Sequence, residues 1–562
     1  MRNEPTKLSD SYLCGSNERP LINQTIGQYF NTIASNFADE EALVVKHQDI
    51  RWSYAEYRQR IDALATGLLH LGIEKGDRVA IWAPNCVEWV LTQFATAKIG
   101  AIMVCINPAY RLYELEYALN KSACKAIISA ESFKTSMYLD MLNALAPEIS
   151  SSTPGHARAE KLPSLEIVIR MGEETTAGML NFTNVCSMGE EADYQHLDTL
   201  NIELDCHDPI NIQFTSGTTG NPKGATLSHY NILNNADLVA KGFGLSQQDR
   251  LCIPVPLYHC FGMVMGSLAC VTQGATAIFP GAAFEPEATL RAVEEEQCTG
   301  LHGVPTMFTT ELESAKFSDF DLSTLRTGVI AGSICPEPLM RRIVDDMNMH
   351  DITIMYGQTE TSPVNHMTAS DDPFEKRVST VGRAAPHCEI KIIDDAGKLV
   401  AIGYKGEVCC RGYGVMKGYW DEEERTSETI DNDGWLHSGD IGVMDEDGFV
   451  QIVGRIKDMI IRGGENVYPA EVEEFLYTHP AVQDVQVFGI EDAKYGEEVC
   501  AWIALKENTV VSEQDIKEFC KDQITHFKVP RHIRFVTEFP MTVTGKIQKY
   551  KMRETMESVL AN

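Results

Sequence analysis

From position 53 the apolar residues keep a helical rhythm and then abruptly lose it. Tyr57, Ile61, Leu64, Leu68 and Leu71 recur every three or four positions, the spacing of one buried helix face. Ser53 with Glu56 three positions on makes a capping box that opens this helix. Gly72 and Gly76 stop it, and the unbroken run Arg78 to Trp82 reads as a buried strand. The pair then repeats, with a helix over Val87 to Ile99 and a strand over Ala101 to Ile106. Helix and strand in alternation predict an α/β fold built on wound sheets. The first fifty residues carry little pattern. Ser150 to Lys161, a mixture of Ser, Thr, Pro and Gly, reads as a surface loop.

Further on, strands are predicted over Ile210 to Phe214, Leu251 to Pro256, Gly274 to Phe279, Arg326 to Ala331 and Ile352 to Met355. A helix is predicted over Pro286 to Gln297 and a turn at His302 to Thr306. Several of these strands run into small or polar residues, such as Gly332-Ser333 and Tyr356-Gly357-Gln358-Thr359-Glu360. Ligand sites of α/β sheets sit at such strand ends. From Glu389 to Val453 short alternating strands take over, with turns at Ala396-Gly397, Asp433-Gly434 and Asp447-Gly448. Beyond Gly454, helices near Glu471 to Thr478 and Ser512 to Asp522 alternate with strands near Val485 to Phe488, Val499 to Leu505 and His532 to Val536. The expected organisation is a large N-terminal domain over 1–456, with a β subdomain at about 385–456, and a small mobile α+β domain over 457–562.

Charge and cysteines narrow the function classes. A net charge of −32 argues against nucleic acid or an anionic membrane as partner. Sixteen cysteines without a C-x-x-C pair fit reduced thiols, so neither a disulfide framework nor a zinc site is expected. No apolar run is long enough to span a bilayer. Glu4 and Asp10 suit neither a secretory nor a mitochondrial leader, so a cytoplasmic location is expected.

The densest chemistry lies in Phe214 to Ala225, which reads Phe-Thr-Ser-Gly-Thr-Thr-Gly-Asn-Pro-Lys-Gly-Ala. Thr215, Ser216, Thr218 and Thr219 offer hydroxyls, while Gly217 and Gly220 let the backbone curl its N–H groups around an anion. Lys223 adds a point charge for the same oxygens. The stretch suits a polyphosphate. It is not a Walker A loop, because Gly224 follows Lys223 where Ser or Thr would hold magnesium.

The segment resembles the phosphate loop of the adenylate-forming superfamily, which includes acyl-CoA synthetases, luciferases and carrier-loading adenylation domains. Four later stretches are similar to its other motifs: Tyr356 to Glu360, Leu436 to Asp440, Gly454 to Asp458, and Arg462 to Glu473. Asn107 to Arg111 and Glu114 to Ser122 resemble the medium-chain acyl-CoA synthetases of the family member 2 group. The resemblance implies ATP, Mg2+ and CoA as reactants and cofactor. It implies that Glu360, with Thr215, helps hold magnesium on the phosphates, and that Tyr356, with Gly357, Gln358 and Thr359, lies near the adenine. Asp440 would take the ribose hydroxyls, a pairing natural for a carboxylate. Leu436 and Ser438 depart from the aromatic residue and threonine usual there. Arg455 would contact ribose or phosphate, Lys457 would be the hinge, and Gly463, Gly464 and Glu465 would face CoA. Lys546 would bridge the reacting carboxylate and the α-phosphate. His526 to Arg553 holds Lys528, Arg531, Arg534, Lys546, Lys549, Lys551 and Arg553 against Glu538 alone, a local basic field in an acidic chain.

For the acyl group, His259 and Phe261 resemble the family's acyl-pocket and gating positions, and Val304, Ala331 and Gly332, with Met263 and Met265, are candidates open to either tunnel or core. The expected activity is AMP-forming ligation of an apolar, medium-chain fatty acid to CoA through an acyl-adenylate. Two rivals stand beside it: a ligase that hands the acyl group to a carrier protein, and a non-catalytic acyl-nucleotide sensor. An amino-acid-activating domain would want an acid near 258–262, and Tyr-His-Cys-Phe-Gly offers none. A second copy of the chain is a further candidate partner.

Overall fold

Ser53 and Glu56 close the capping box: the Glu56 N–H donates to the Ser53 hydroxyl and the Ser53 N–H to the Glu56 carboxylate. The helix runs Tyr54–His70 and buries Tyr57, Ile61, Leu64 and Leu68. A computed structural model describes residues 7–215, 222–333, 335–462, 465–492, 494–507, 509–521, 523–524, 526–542 and 547–560. The chain divides into two units. One comprises Cys14–Glu389 with Arg411–Leu436; the other comprises Met1–Leu13, Ile390–Cys410 and His437–Asn562.

The first unit holds two large sheets. In one, Arg78–Trp82, Ile102–Cys105, Ala126–Ser129, Ile167–Arg170 and Pro209–Thr215 run parallel, and Lys223–Ser228 and then Gly418–Tyr419 add antiparallel at one edge. In the other, Thr327–Ile330 sits between Gly300–Leu301 and Asp351–Gly357. Strand alternation explains the layering. Val79 and Ile81 point into the main core with the helices Ile26–Asn36, Tyr54–His70 and Val87–Ile99, while Ala80 and Trp82 face a second core on the opposite side. In the second sheet, Leu251 and Ile253 join the main core and Cys252 faces a third.

The second unit holds most residues of the strands Tyr12–Cys14, Cys388–Ile393, Lys405–Gly412, Leu436–Met444 and Val450–Arg455, which lie in that order across one sheet. Its other sheet pairs the long hairpin Val482–Asp492 and Gly496–Leu505 with Ile460–Arg462, and His532–Phe535 joins it in parallel. Helices Pro469–Tyr477 and Glu513–Cys520 lie where the sequence predicts them.

Three local expectations change. The strand expected over 251–256 is only Arg250–Cys252, because Pro254 and Pro256 cannot donate to a ladder. The loop over 150–161 is irregular as expected but not free on the surface: Ala157 and Ala159 are buried in the second core. The unpatterned N-terminal stretch contains a helix, Ile26–Asn36, opened by a reciprocal Thr25–Gln28 capping box.

Candidate active site

Thr215 and Lys223 end two antiparallel strands and sit opposite one another in register. The Thr215 hydroxyl donates to the Lys223 carbonyl at 3.4 Å. The hairpin therefore delivers both residues to one strand end, as the sequence suggests. Ser216, Gly217, Thr218, Thr219 and Gly220 lie outside the described residues.

A residue absent from the sequence reading joins these groups. Tyr419 pairs with Ala225 on the neighbouring edge strand, and the backbone fixes it there: the Trp420 N–H donates to Gly224 O at 2.7 Å and the Lys417 N–H to Thr226 O at 2.9 Å. The Lys223 ammonium stands 4.6 Å from the Tyr419 ring centroid, within cation–π range. The Tyr419 hydroxyl donates to Glu360 Oε1 at 2.8 Å. Burial, and then the Glu360 charge, push the phenol's pKa up, so it remains a donor at neutral pH. One aromatic ring thus links the phosphate-loop lysine to the proposed metal carboxylate. Gly-Tyr-Trp carries no periodic signal that would have revealed this.

Glu360 lies in a short turn, Thr359–Thr361, directly after the strand Asp351–Gly357. The turn is fixed by the Gln358 N–H donating to Thr361 Oγ1 at 3.0 Å and by Thr361 Oγ1 donating to Pro363 O at 2.6 Å. Gly357 is required by space: a Cβ there would fall 1.8 Å from Pro363 O. Tyr356 pairs across the sheet with His366, their rings edge to face at 5.4 Å. Burial lowers the His366 pKa to about 3, so the imidazole beside Tyr356 is neutral. The carboxylate of Glu360 and the hydroxyl of Thr215 are hard oxygen donors, a donor type that fits Mg2+.

Of the acyl-pocket candidates, Phe261 opens a π-helix, Phe261–Leu268, a turn type that concentrates at functional sites. Gly262 lets this helix approach Pro256, since a Cβ there would lie 2.4 Å from the Pro256 carbonyl oxygen. Gln213, two residues before Thr215, reaches the same helix: its amide N–H donates to Met263 Sδ at 3.7 Å and its oxygen accepts from Cys260 Sγ at 3.2 Å. Phe261 packs 5.4 Å from the His302 ring, and Phe261, Val304 and Ala331 are partly buried against the main core. Gly332 adopts φ +93°, with Val304 Cγ1 3.2 Å from where its Cβ would be. His259 packs on Tyr258 at 4.1 Å. Met263 and Met265 are 1% and 2% exposed and belong to the core.

In the second unit, Asp440 and Arg455 face each other in register, and Arg455 Nε lies 2.9 Å from Asp440 Oδ1. The approach to Asp440 is stiffened by Glu407, whose Oε1 accepts the Gly439 N–H at 3.0 Å, and by Ser438, whose hydroxyl donates to Val408 O at 2.6 Å. Gly439 takes φ +71°, which suits glycine. Ser438 thus has a structural task in the motif. Lys457 is exposed in the turn that follows Arg455. Gly463, Gly464 and Lys546 lie outside the described residues. Arg462 and Glu465, which flank the two glycines, are paired across a hairpin. Beneath it, Arg462 grips the buried Glu498 with Nε to Oε2 at 2.8 Å and Nη2 to Oε1 at 2.9 Å, and Arg531 reaches Oε1 at 3.2 Å. Lys549, three residues past Lys546, bonds Glu473 Oε1 at 2.7 Å and Val487 O at 2.8 Å.

The family model described as "AMP-binding enzyme" matches residues 30–420, and that of the "AMP-binding enzyme C-terminal domain" matches 471–546. The chain is 47% identical over 555 residues to the mitochondrial medium-chain acyl-CoA ligase ACSF2 of Bos taurus, covering 98% of this chain and 90% of that protein. Among solved structures, the anthranilate CoA ligase AuaEII in complex with anthranoyl-AMP superimposes with a TM-score of 0.84 at 28% identity, covering 97% of this chain and 99% of that one. ATP-bound MatB from Rhodopseudomonas palustris gives 0.82 at 27% identity, covering 96% and 100%. Among the described residues no helix is long and apolar enough to cross a membrane.

Proposed function

We propose, from the premise that this chain belongs to the AMP-binding enzyme family, that it ligates a medium-chain fatty acid to CoA in two steps at one site. In the first, a carboxylate oxygen of the acid attacks the α-phosphorus of ATP, the bond to the bridging oxygen breaks, and pyrophosphate leaves with its electron pair. In the second, the CoA sulfur attacks the acyl carbon of the adenylate and AMP departs. Thr215 and Lys223 hold phosphate oxygens, Tyr356 stacks on the adenine and Asp440 accepts the ribose hydroxyls. Lys546 offsets the charge that crowds as carboxylate and phosphate approach. Mg2+, when bound by Glu360 and Thr215, neutralises phosphate charge. Phe261, Val304 and Gly332 shape an apolar slot with His259 at its entrance. The domain boundary at 456–457 and the hinge at Lys457 are part of the same proposal: the small domain turns about Lys457, exchanging Lys546 for the Gly463-Gly464 loop and Glu465 between steps.

The observation that carries this reading is the contact series Lys223–Tyr419–Glu360. It brings the Lys223 ammonium and the Glu360 carboxylate onto one aromatic ring at the end of the loop strands, which supports their roles as phosphate-binding cation and metal ligand. Lys546→Ala tests it. Acid-dependent pyrophosphate exchange should vanish, while CoA still consumes supplied acyl-adenylate. Equal loss of both would contradict the alternation. CoA-independent exchange without any thioester product would favour a ligase that loads a carrier.

A further inference from the structure

We propose that Glu407, Cys409 and His437 form a site for one thiophilic divalent cation of the zinc type. Nothing in the ligation chemistry uses these side chains, and their donors differ from the hard oxygens of Glu360 and Thr215. Glu407 and Cys409 are two apart on the strand Lys405–Gly412, so their side chains share a face. His437 comes from the adjacent strand Leu436–Met444. A carboxylate oxygen, a thiol sulfur and an imidazole nitrogen thereby lie within 4.8 Å of one another, held by a hydrogen-bonded ladder.

The distances match a tetrahedral ion. His437 Nδ1 is 3.6 Å from Cys409 Sγ and 2.8 Å from Glu407 Oε2. Zinc–sulfur and zinc–nitrogen bonds of ordinary length, at the tetrahedral angle, separate those two atoms by ~3.5 Å. The nitrogen–oxygen pair has to open to ~3.3 Å, a small pivot of the carboxylate. Glu407 Oε1 meanwhile keeps the Gly439 N–H at 3.0 Å, an outer hydrogen bond of the kind that orients a metal-bound carboxylate. Cys409 is fully buried, whereas the Glu407 and His437 side chains retain 19% and 31% exposure. An ion can enter from that side and keep water as fourth ligand. On binding, the Cys409 thiol proton passes to solvent and the His437 proton resides on Nε2. The bound ion ties the strand that carries Asp440 to its neighbour Lys405–Gly412. The other three-residue group of this kind among the described residues, Asp205-Cys206-His207, is contiguous in sequence with two exposed members, and it serves as an internal control.

The test uses the full chain, freed of metal with a chelator and titrated with Co2+ and with Zn2+. We expect one equivalent of Co2+ with thiolate-to-cobalt charge-transfer absorption, displaced by Zn2+, and a melting temperature that rises with Zn2+. Cys409→Ser and His437→Gln should lose the absorption and the thermal shift, and Cys206→Ser should keep both. His437→Gln, at a partly exposed position, decides the matter if Cys409→Ser does not fold. Absence of thiolate absorption in the parent chain, its persistence in His437→Gln, or its loss in Cys206→Ser would overturn the assignment.

Discussion

Glu498→Gln separates the two half-reactions through a group that touches neither substrate. The Glu498 side chain is 1% exposed and accepts a bidentate grip from Arg462 and a third hydrogen bond from Arg531. Burial alone would raise its pKa, yet the guanidinium groups, Arg462 first, bring it below the usual carboxylate range. The partners therefore outweigh the desolvation. Removing one member of such a buried pair costs about 3–5 kcal/mol. Glutamine keeps the shape and one acceptor, so the lower end applies, about 3 kcal/mol. That is a substantial share of a stability of about 5–15 kcal/mol but leaves a folded unit. At about 2–4 °C per kcal/mol for a unit of this size, its melting should fall by about 6–12 °C. Arg462 pairs with Glu465 across the hairpin Ile460–Arg462 and Glu465–Val467, which the Arg462–Glu498 contact anchors. On our reading, CoA capture needs that hairpin and adenylation does not. Pyrophosphate exchange should then be nearly unchanged, while transfer from supplied acyl-adenylate to CoA slows about tenfold or more. An unaltered melting temperature would refute the energetic argument. Equal slowing of both steps would refute the assignment of the hairpin to the second.

Tyr419→Phe keeps the ring under Lys223 but removes the donor to Glu360. A hydrogen bond to a charged acceptor contributes about 1.5–3 kcal/mol, so the Mg-dependence of adenylation should shift to at least about tenfold higher metal, and an unshifted curve would count against Glu360 as the metal ligand. Gly357→Ala places a methyl 1.8 Å from a backbone oxygen, so soluble yield and melting temperature should drop sharply; a stable, active variant would show that the turn before Glu360 can relax. His302 is held near pKa 4 by burial, with its Nδ1 accepting the Val329 N–H at 3.2 Å. The unfolded imidazole titrates near about 6.5, so the unfolded chain takes up the extra proton and stability declines as pH falls from about 6.5 to 4. His302→Gln should flatten that part of the melting-temperature curve, and an unchanged slope would refute it.

Much of the scaffold was legible because its signals are local. The Ser53–Glu56 box, the stripe it opens and the strand Arg78–Trp82 all stand where the pattern puts them. The same kind of signal was present and unread at Thr25–Gln28 and at Ser228–Asn231, which open buried helices. The first has a short stripe of Ile26, Phe30, Ile33 and Ala34 on one face, and the second buries Asn231, Asn234, Asn235 and Asp237, polar residues that break an apolar stripe. The π-helix over Phe261–Leu268 is different. It depends on Gly262 and Gly266 closing on Pro256 and Ile253, in the segment just after the strand Arg250–Cys252, which periodicity does not join to it. The candidate site divides likewise. Thr215, Lys223, Tyr356, Glu360, Asp440 and Arg455 are found by motif because each belongs to a short contiguous signature in or beside a strand. Tyr419, Glu407 and Glu498 are not, because each acts across a sheet on a partner distant in the chain.

The basic stretch near the C-terminus shows why charge counted along a sequence misstates the field at a site. Arg531 bonds Glu498, Lys528 pairs with Glu471, Lys549 with Glu473, and Arg534 lies over the Trp502 ring at 4.8 Å. These cations are neutralised or stacked within their own unit, so they add little to the attraction felt by a nucleotide. Their acidic partners lie between 471 and 498, which is why the run from 526 to 553 looked uncompensated. What the stretch supplies instead is position. Lys549 is held at once by the Glu473 carboxylate and the Val487 carbonyl, and it begins the helix Lys549–Leu560. Lys546 precedes that anchor by three positions in the sequence. Under the function proposed above, a single ammonium at Lys546 suits a chain of net charge −32 better than a diffuse basic patch would, because it would meet the transition-state charge without holding the product polyanions after the reaction.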